Sequence, residues 1–531
     1  MIWPFSPDIV VQRLFVRLKF RSSPSSPPRP WGPVVGAVAS GLLLSAAFPK
    51  FDGFPLAWIA LVPLLGVLPQ ASPAGAFRLG FLAGLVHFTT SLYWIVHVVQ
   101  HYGGLPLPVA LSALGLLCAY LALYPAVFSW LARHWLDRPS GWAWGLAPAW
   151  VCLEWIRAHL LTGFPWNLLG YSQGPFLTLI QMADMTGVYG VSWLLVQTNV
   201  AVALLLRTSK VRPLLIASLC IAISLGYGSW RLQQVDSPPH AGDGFRVGLV
   251  QGNIDQSVKW DPAYQKKTLD TYERLSRGLV RQDRPDLVVW PETAAPFFYQ
   301  IEAGPTARLH QIVENLGTPL LVGIPGIVRT DGTAKLQNQA LLLEPSRGLT
   351  GRYSKRHLVP FGEYVPLKKV LFFVEKLVAA AGDFQPGGGP AALLLGRHVL
   401  GVLICYEAIF PELAREEVRN GATMLVNITN DAWFDHSSAP YQHKEMARWR
   451  AVEFRVPMVR CANTGISAVF APSGKTVASL PLGRRGTVSA LVYPARTPTL
   501  YARLGDLFAW ICVLTTAASA IYGALRKRTR K

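Results

Sequence analysis

The chain has 531 residues, 51% of them hydrophobic and only 15% charged, with a mean hydropathy of +0.30. That composition is too apolar and too poor in charge for an ordinary soluble protein, so a membrane protein is the first expectation. Lys and Arg outnumber Asp and Glu by 50 to 30, giving a net charge of +20. No basic patch is interleaved with aromatic residues, however, and the sequence points away from nucleic acid as a partner.

Residues 1–30 form a basic tail carrying Arg13, Arg17, Lys19, Arg21 and Arg29. The tail is broken by prolines and lacks the long apolar core of a cleavable signal. A helix that crosses the hydrocarbon core needs roughly 20 mostly apolar residues. Candidate spans lie near 33–49, 54–70, 76–100, 106–132, 141–161, 187–206, 213–230 and 506–525, about eight in all. The first two are short enough to form a single re-entrant hairpin. Basic residues collect in alternate loops, at Arg78, at Arg133 and Arg138, at Arg207, Lys210 and Arg212, and in the C-terminal Arg526, Lys527, Arg528, Arg530 and Lys531. Between these, the loops hold Lys50 alone or no basic residue at 101–108 and 162–186. Short cytoplasmic loops keep the excess of Lys and Arg, so both termini are expected in the cytoplasm. The polar region then lies on the opposite face, and losing one pair of spans leaves that parity unchanged. The expected organisation is a basic cytoplasmic tail at 1–30, a transmembrane domain of about seven spans at 31–230, an exported domain at 231–503, and a last transmembrane helix with a basic tail at 504–531.

Two features inside the spans invite a functional reading. Glu154 and Arg157, three residues apart, fit an ion pair near the interface as well as a substrate role. His87, His97 and His101 do not share one helical face, and ordinary polar packing is preferred over a metal or proton path. The six cysteines show no metal-binding spacing, and four of them lie in apolar runs as packing residues. Neither a cofactor nor a metal is expected.

From residue 245 the pattern changes to short β-branched and apolar runs separated by helical stretches. Strands are predicted at 245–251, 287–290, 320–324, 339–344, 399–404, 424–428, 458–462 and 467–471, with helices at 264–281, 306–316, 412–420 and 441–456. This alternation describes one α/β domain of about 260 residues. Residues 382–390 form a loop rich in Gly and Pro. The stretch 365–380 is strongly apolar with interspersed lysines; its pattern alone fits a buried core helix equally, but the adjoining candidate catalytic residues favour an arm on the bilayer or over a lipid cleft.

Three polar residues stand at predicted strand ends or in the loop between them, where α/β domains place chemistry. Glu292 follows the strand in LVVWPE, Lys355 lies in GRYSKRHLVPFGEYVP, and Cys405 closes the strand in VLGVLICYEAIF. A thiol becomes a strong nucleophile when its proton is removed, and a carboxylate base with a nearby ammonium can do that. The ammonium, with the backbone N–H after the nucleophile, would then stabilise an oxyanion. Singly, each residue reads as a surface charge or a buried small hydrophobe; together, in this order, they read as a catalytic set.

In these strings the chain resembles the nitrilase superfamily, with its Glu, Lys and Cys triad. More closely it resembles the membrane-bound apolipoprotein N-acyltransferases, through LVQGNIDQSVKWDP (249–262), VVWPETA (288–294), YSKRHLVPFGEYVP (353–366), ICYEAIFPE (404–412), NITNDAWF (427–434) and MARWRAVEFRVPMVRCANTG (446–465). The resemblance implies a multi-pass α-helical membrane domain joined to an exported nitrilase-like αββα sandwich. It implies Glu292 as general base, Lys355 as electrostatic partner and Cys405 as the acylated residue. Supporting roles are implied for Glu363 and Glu407, where Glu363 would hold the lysine and Glu407 would shape the oxyanion side. Each fits a structural ion pair too. Tyr406 and Trp260 are expected to line the cleft, or to serve as ordinary aromatic packing. Cys461 has no acid or base beside it in sequence and reads as core.

The implied reaction moves a fatty acyl chain from a membrane phospholipid, through a cysteine thioester, to the amino group of a diacylglyceryl-cysteine apolipoprotein. The expected setting is the inner membrane with a periplasmic catalytic domain, and the expected state is a monomer. Two rivals remain at this level. A membrane-tethered amidase would need only water in place of the amine, and a transporter or receptor would use the exported domain for binding alone. The long apolar half argues against the first, and few intramembrane charges with no inverted repeat argue against the second.

Overall fold

The computed structural model describes residues 31–136, 143–235, 244–255, 262–330, 333–364, 384–495 and 498–528. The N-terminal tail, Trp260 and the apolar arm at 365–380 lie outside the described residues.

The first half is helical. Its longer helices are α1 (Gly32–Ala46), α2 (Pro73–Ser91), α3 (Leu107–Leu136), α4 (Leu146–His159), α5 (Val188–Thr208) and α6 (Arg212–Val235). Helix α2 begins where Pro73 follows Ser72, whose hydroxyl accepts from the Gly75 N–H and caps the first turn. It packs tightly on α3 because Gly80 has no side chain: a Cβ there would lie 2.4 Å from the Pro125 carbonyl oxygen.

Among the described residues, α3, α5 and α6 are long and apolar enough to cross a membrane. Pro73–Ser91 with Trp94–Tyr102, bent by 53°, makes a fourth if the pair is one span. Gly32–Ala46, Phe54–Gln70 and Leu507–Gly523 are apolar but shorter. On length and composition three or four helices of the described residues qualify, and the expected count of about eight is not confirmed. One reason is that apolar length does not guarantee a continuous helix. Residues 54–70 break into Phe54–Trp58, Val62–Val67 and Leu68–Gln70, each with a proline in its first turn. Helix α4 has 14 residues and ends where Leu161 and Thr162 turn to positive φ.

Among the described residues the second half holds twelve strands: β1 (Phe245–Gln251), β2 (Leu287–Val289), β3 (Leu320–Thr330), β4 (Thr333–Glu344), β5 (Gly348–Ser354), β6 (Ala392–Leu395), β7 (His398–Ile404), β8 (Met424–Thr429), β9 (Met458–Ala462), β10 (Ser467–Phe470), β11 (Thr476–Leu480) and β12 (Gly486–Val492). They form two six-stranded sheets in the orders β12-β1-β2-β3-β4-β5 and β11-β10-β9-β8-β7-β6. In each sheet three strands run parallel, β1 to β3 and β7 to β9, and the remaining pairings are antiparallel.

The alternation along each strand divides its side chains between two cores. Val247, Leu249, Val289 and Leu321 meet Val402, Ile404, Val426 and Ile428 between the sheets. Val250, Val288, Leu320 and Val322 face outward to helices α7 (Pro262–Asp283) and α8 (Ala303–Leu316). Leu403 and Leu425 face helices α9 (Pro411–Arg419) and α10 (Ala439–Phe454). Burial on both faces explains why the parallel strands read as continuous apolar runs. The result is a helix-sheet-sheet-helix sandwich, and the chain closes with α11 (Leu507–Arg528) returning to the helical half.

The two halves touch through the loops that are poor in basic residues. Lys50 Nζ donates to the His436 carbonyl at 2.9 Å, Tyr102 Oη to that of Ala432 at 2.9 Å, and Trp166 Nε1 to Gln442 Oε1 at 2.8 Å. The basic loops bond elsewhere, with Arg133 Nε on the Ala71 carbonyl and Arg207 Nη1 on that of Leu136. A buried ion pair adds to the join: Asp184 Oδ2 takes Arg455 Nη2 at 2.9 Å and Arg231 Nε at 2.9 Å, while Tyr227 donates to Oδ1 at 2.8 Å. Replacing Asp184 with alanine strands the Arg455 guanidinium in a dry site. We expect a destabilisation of about 3–5 kcal/mol, the usual cost of breaking a buried pair from one side. An unchanged unfolding midpoint for the purified variant in detergent would refute the clamp.

Candidate active site

The parallel strands of both sheets deliver their C-terminal ends to one side of the sandwich, where crossover loops begin and side chains are free of ladder bonding. Glu292 sits two residues past Trp290, beyond the end of β2, and is buried. Its Oε1 accepts from Asn338 Nδ2 at 2.6 Å and its Oε2 from the Asn430 N–H at 2.8 Å, so the carboxylate is anchored from both sheets. Gly323 of β3 lies under this turn. A Cβ there would stand 2.6 Å from the Glu292 Cα, so only glycine lets β3 pass that closely.

Lys355 follows β5 and is 1% exposed. Its Nζ lies 2.9 and 2.8 Å from the two oxygens of Glu363, whose Oε2 also accepts from the Val359 N–H at 2.8 Å. Burial alone would lower the lysine pKa. The carboxylates of Glu363 first, and of Glu292, outweigh it and raise the pKa above the ordinary value, so the side chain stays an ammonium.

Cys405 directly follows β7 with φ of 54°, a left-handed conformation that non-glycine residues avoid. Burial first, and then the Glu292 charge, push its thiol up to about 12, against the opposing influence of Lys355 and a hydrogen bond from Thr429. The resting sulfur is therefore a protonated thiol. Glu292, Lys355 and Cys405 each lie within electrostatic reach of the others, although they come from three separate stretches of the chain.

Glu407 stands two residues past the cysteine, fully buried, with its acceptor capacity spent on the protein. It takes the N–H groups of Ile404 at 2.7 Å, Arg356 at 2.6 Å and His357 at 3.1 Å, and the Tyr353 hydroxyl at 2.9 and 3.0 Å. Its place is a brace tying the lysine loop to the cysteine turn. Tyr406 packs edge-on against Phe410, with ring centroids 5.0 Å apart, and lies near His357. Cys461 is buried between the sheets, its Sγ 3.2 Å from the Val289 carbonyl, and burial raises its thiol to about 12.

Sequence reasoning did not single out Asn338, Thr429 or Asn430. The polar string NITND at the end of β8 was the available signal for the last two; nothing local marks Asn338, which reaches Glu292 from β4 across the sheet. In the helical half, Glu154 Oε1 accepts from the Leu169 N–H and Arg157 Nη1 donates to the Trp166 carbonyl, while both side chains line a small cavity with His87 and Asn167. His97 stacks on His101, whereas His87 lies against Ser45 and Ser91. No three His, Cys, Asp or Glu side chains converge as a metal site among the described residues.

A family profile for the apolipoprotein N-acyltransferase N-terminal domain matches residues 40–201, and one for carbon-nitrogen hydrolases matches 246–500. The apolipoprotein N-acyltransferase of Geobacter metallireducens is 45% identical over 93% of this chain and 95% of its own length. The chain belongs to the apolipoprotein N-acyltransferase family. The Methylococcus capsulatus member is 36% identical over 88% of this chain and 92% of its own. A solved structure of a mutant Nesterenkonia AN1 amidase from the nitrilase superfamily is 22% identical, with a TM-score of 0.38, covering 50% of this chain and 94% of the amidase. In this member of the apolipoprotein N-acyltransferase family, Glu292, Lys355 and Cys405 all fall within the carbon-nitrogen hydrolase match, and the loops that touch it come from the N-terminal match.

Proposed function

We propose that the protein completes lipoprotein maturation by moving a fatty acyl chain from a membrane phospholipid to the N-terminal amine of a diacylglyceryl-cysteine apolipoprotein, with Cys405 as the intermediate carrier. The observation that carries this reading is a buried thiol at a strained strand end, set between an anchored carboxylate and a fixed ammonium, in a chain of this family.

As Sγ attacks the phospholipid ester carbonyl, Glu292 takes the thiol proton. The oxyanion is held by the Lys355 ammonium and the Tyr406 N–H. The carbon–oxygen bond then breaks, and Glu292 returns the proton to the departing glycerol oxygen, leaving a lysophospholipid and a thioester. The neutral amine attacks that thioester, Glu292 accepts its proton, and the sulfur departs to be reprotonated. A high thiol pKa suits this cycle, because the proton moves only when an electrophile is present. Glu363 keeps the ammonium in place throughout.

Both substrates are anchored in the bilayer, and confinement to one plane raises their effective concentration at a membrane-bound cleft. We place the enzyme in the inner membrane as a monomer, with 231–503 as a periplasmic catalytic domain and both termini cytoplasmic. Two sets of contacts support that orientation: basic loops bond to one another's neighbourhood, and the neutral loops meet the catalytic half.

The test is intact-protein mass spectrometry after incubation with phospholipid. One added fatty acyl mass is expected on the peptide containing Cys405, and it should vanish when a diacylglyceryl peptide with a free amine is supplied. Discharge to water at the same rate without the amine would instead mark a hydrolase.

A further inference from the structure

Behind Cys405 lies a buried polar network. His443, on α10, places Nε2 3.1 Å from the Cys405 carbonyl oxygen, and Asn427 Nδ2 reaches the same oxygen at 3.3 Å. The other imidazole nitrogen, Nδ1, is 3.1 Å from Asp431 Oδ1 and 3.1 Å from Arg460 Nη2. Arg460 also bonds Asp431 Oδ2 at 2.6 Å and Asn427 Oδ1 at 2.5 Å, so one guanidinium joins all three partners. His443, Asp431, Asn427 and Arg460 are all essentially without solvent contact.

The residue types are those of a Cys-His-Asp triad, yet the geometry differs. A carbonyl oxygen can only accept, so Nε2 must carry a proton and has no lone pair to offer the sulfur. Burial and the Arg460 charge lower the His443 pKa, which leaves the ring neutral. Nδ1 is then bare and accepts from Arg460. Asp431, held down to about 2 against its burial chiefly by the Arg460 charge, stays a carboxylate and anchors the guanidinium.

A trans peptide unit is planar, with its C=O and the following N–H pointing in opposite directions. Fixing the Cys405 carbonyl towards His443 and Asn427 therefore aims the Tyr406 N–H the other way, out of the network. We propose that His443 is a positioning residue: as the neutral Nε2–H tautomer it holds the Cys405–Tyr406 peptide so that the Tyr406 N–H faces the oxyanion. The same hydrogen bonds maintain the left-handed backbone of Cys405. The outer edge of the imidazole rests against Trp166 of the helical half, with ring centroids 5.8 Å apart, and Trp166 is itself bonded to the neighbouring Gln442. The membrane half thereby buttresses the nucleophile turn.

The proposal rests on the acyl-transfer reading, and its test separates the two. His443→Ala, His443→Gln and His443→Asn are made in the full-length protein, and formation of the Cys405 acyl adduct is followed in single turnovers with phospholipid. A glutamine amide reproduces the reach of Nε2, whereas an asparagine amide stops near Nδ1. Loss of one oxyanion donor typically lowers a rate by about 10²–10³-fold, so misaiming it in H443A and H443N is expected to slow acylation by about 10–10²-fold. H443Q should recover most of that loss. The phospholipid concentration for half-maximal rate should change less than about threefold, because the contact forms only in the transition state. Alkylation of Cys405 by iodoacetamide, which needs no oxyanion site, should be unchanged in all three. The acidic limb of the rate profile should also be the same in H443Q as in the unaltered protein.

Acylation at the unaltered rate in H443A and H443N together would overturn the proposal. So would a lost acidic limb in H443Q, since that would make the imidazole a titrating base. Should H443A fail to fold, the ratio of the H443Q and H443N rates decides the same question. If the unaltered protein gains no acyl mass at Cys405, the acyl-transfer reading fails first, and this one with it.

Discussion

Cys405→Ala is expected to lower acyl transfer by at least about 10³-fold, the scale on which removing a covalent nucleophile acts. The substitution deletes one heavy atom from a buried site and leaves the flanking backbone bonds to His443 and Asn427 intact, so the fold should persist. Cys405→Ser is the sharper comparison. Its hydroxyl occupies the same place but ionises far less readily than a thiol, and an oxygen ester is a poorer acyl donor to an amine than a thioester. Labelling with a tagged phospholipid distinguishes the possibilities. Neither variant should carry a label under conditions where the unaltered chain is modified, and a purified pre-acylated enzyme should transfer its label without further phospholipid. The control is Cys461, the other thiol between the two sheets, whose sulfur points at the Val289 and Val250 carbonyls rather than towards Glu292. Cys461→Ala should keep its label. A label that survived in Cys405→Ala and vanished in Cys461→Ala would move the acyl site and end the proposed mechanism.

The parallel centre of each sheet was legible because strands buried on both faces must be apolar throughout, and the runs at β1, β7, β8 and β9 left no other reading. Strands β6 and β11 escaped because they lie at sheet edges, where alternate or most residues face solvent, as in the pattern of Ala392–Leu395 and Thr476–Leu480. Strands β5 and β12 were missed for the same reason: much of each strand remains partly open. In the helical half, apolar length located each segment, but Pro55, Pro63 and Pro69 cut 54–70 into pieces that no length criterion sees.

The site was legible to a different depth at each residue. Cys405, Lys355 and Glu292 stood out through strings of unusual chemistry at strand ends or in the loop between them, and Glu363 only through the family resemblance. The function of Glu407 as a brace was not legible, because its partners Tyr353, Arg356 and His357 are more than fifty positions away or nearly so. His443 was hidden for a similar reason. A histidine inside a helix carries no local sign that its Nε2 meets the carbonyl of a residue 38 positions earlier.

Glu292→Gln separates two roles of that carboxylate, and its outcomes run in opposite directions. In the proposed cycle Glu292 carries the proton in both half-reactions, and a glutamine cannot take a proton. Turnover should fall by about 10²–10⁴-fold, the contribution typical of a positioned general base. As a fixed negative charge, however, Glu292 raises the Cys405 pKa, second only to burial. Removing that charge leaves Lys355 less opposed, so the thiol pKa should drop. The sign is direct: a lower pKa means more thiolate at a given pH, and alkylation of Cys405 by iodoacetamide should begin at lower pH than in the unaltered protein. Glutamine keeps both contacts only if its oxygen stays on the Asn430 N–H and the Asn338 amide turns over to accept from its nitrogen, and some loss of stability is expected from that rearrangement. Glu292→Asp controls for that loss, because it keeps the charge on a shorter arm and should not show the alkylation shift. A variant that turns over slowly but reacts with iodoacetamide more readily would identify the carboxylate as a carrier of protons. Slower alkylation at every pH would instead mean that Glu292 maintains a standing thiolate, contrary to the buried and protonated sulfur described above.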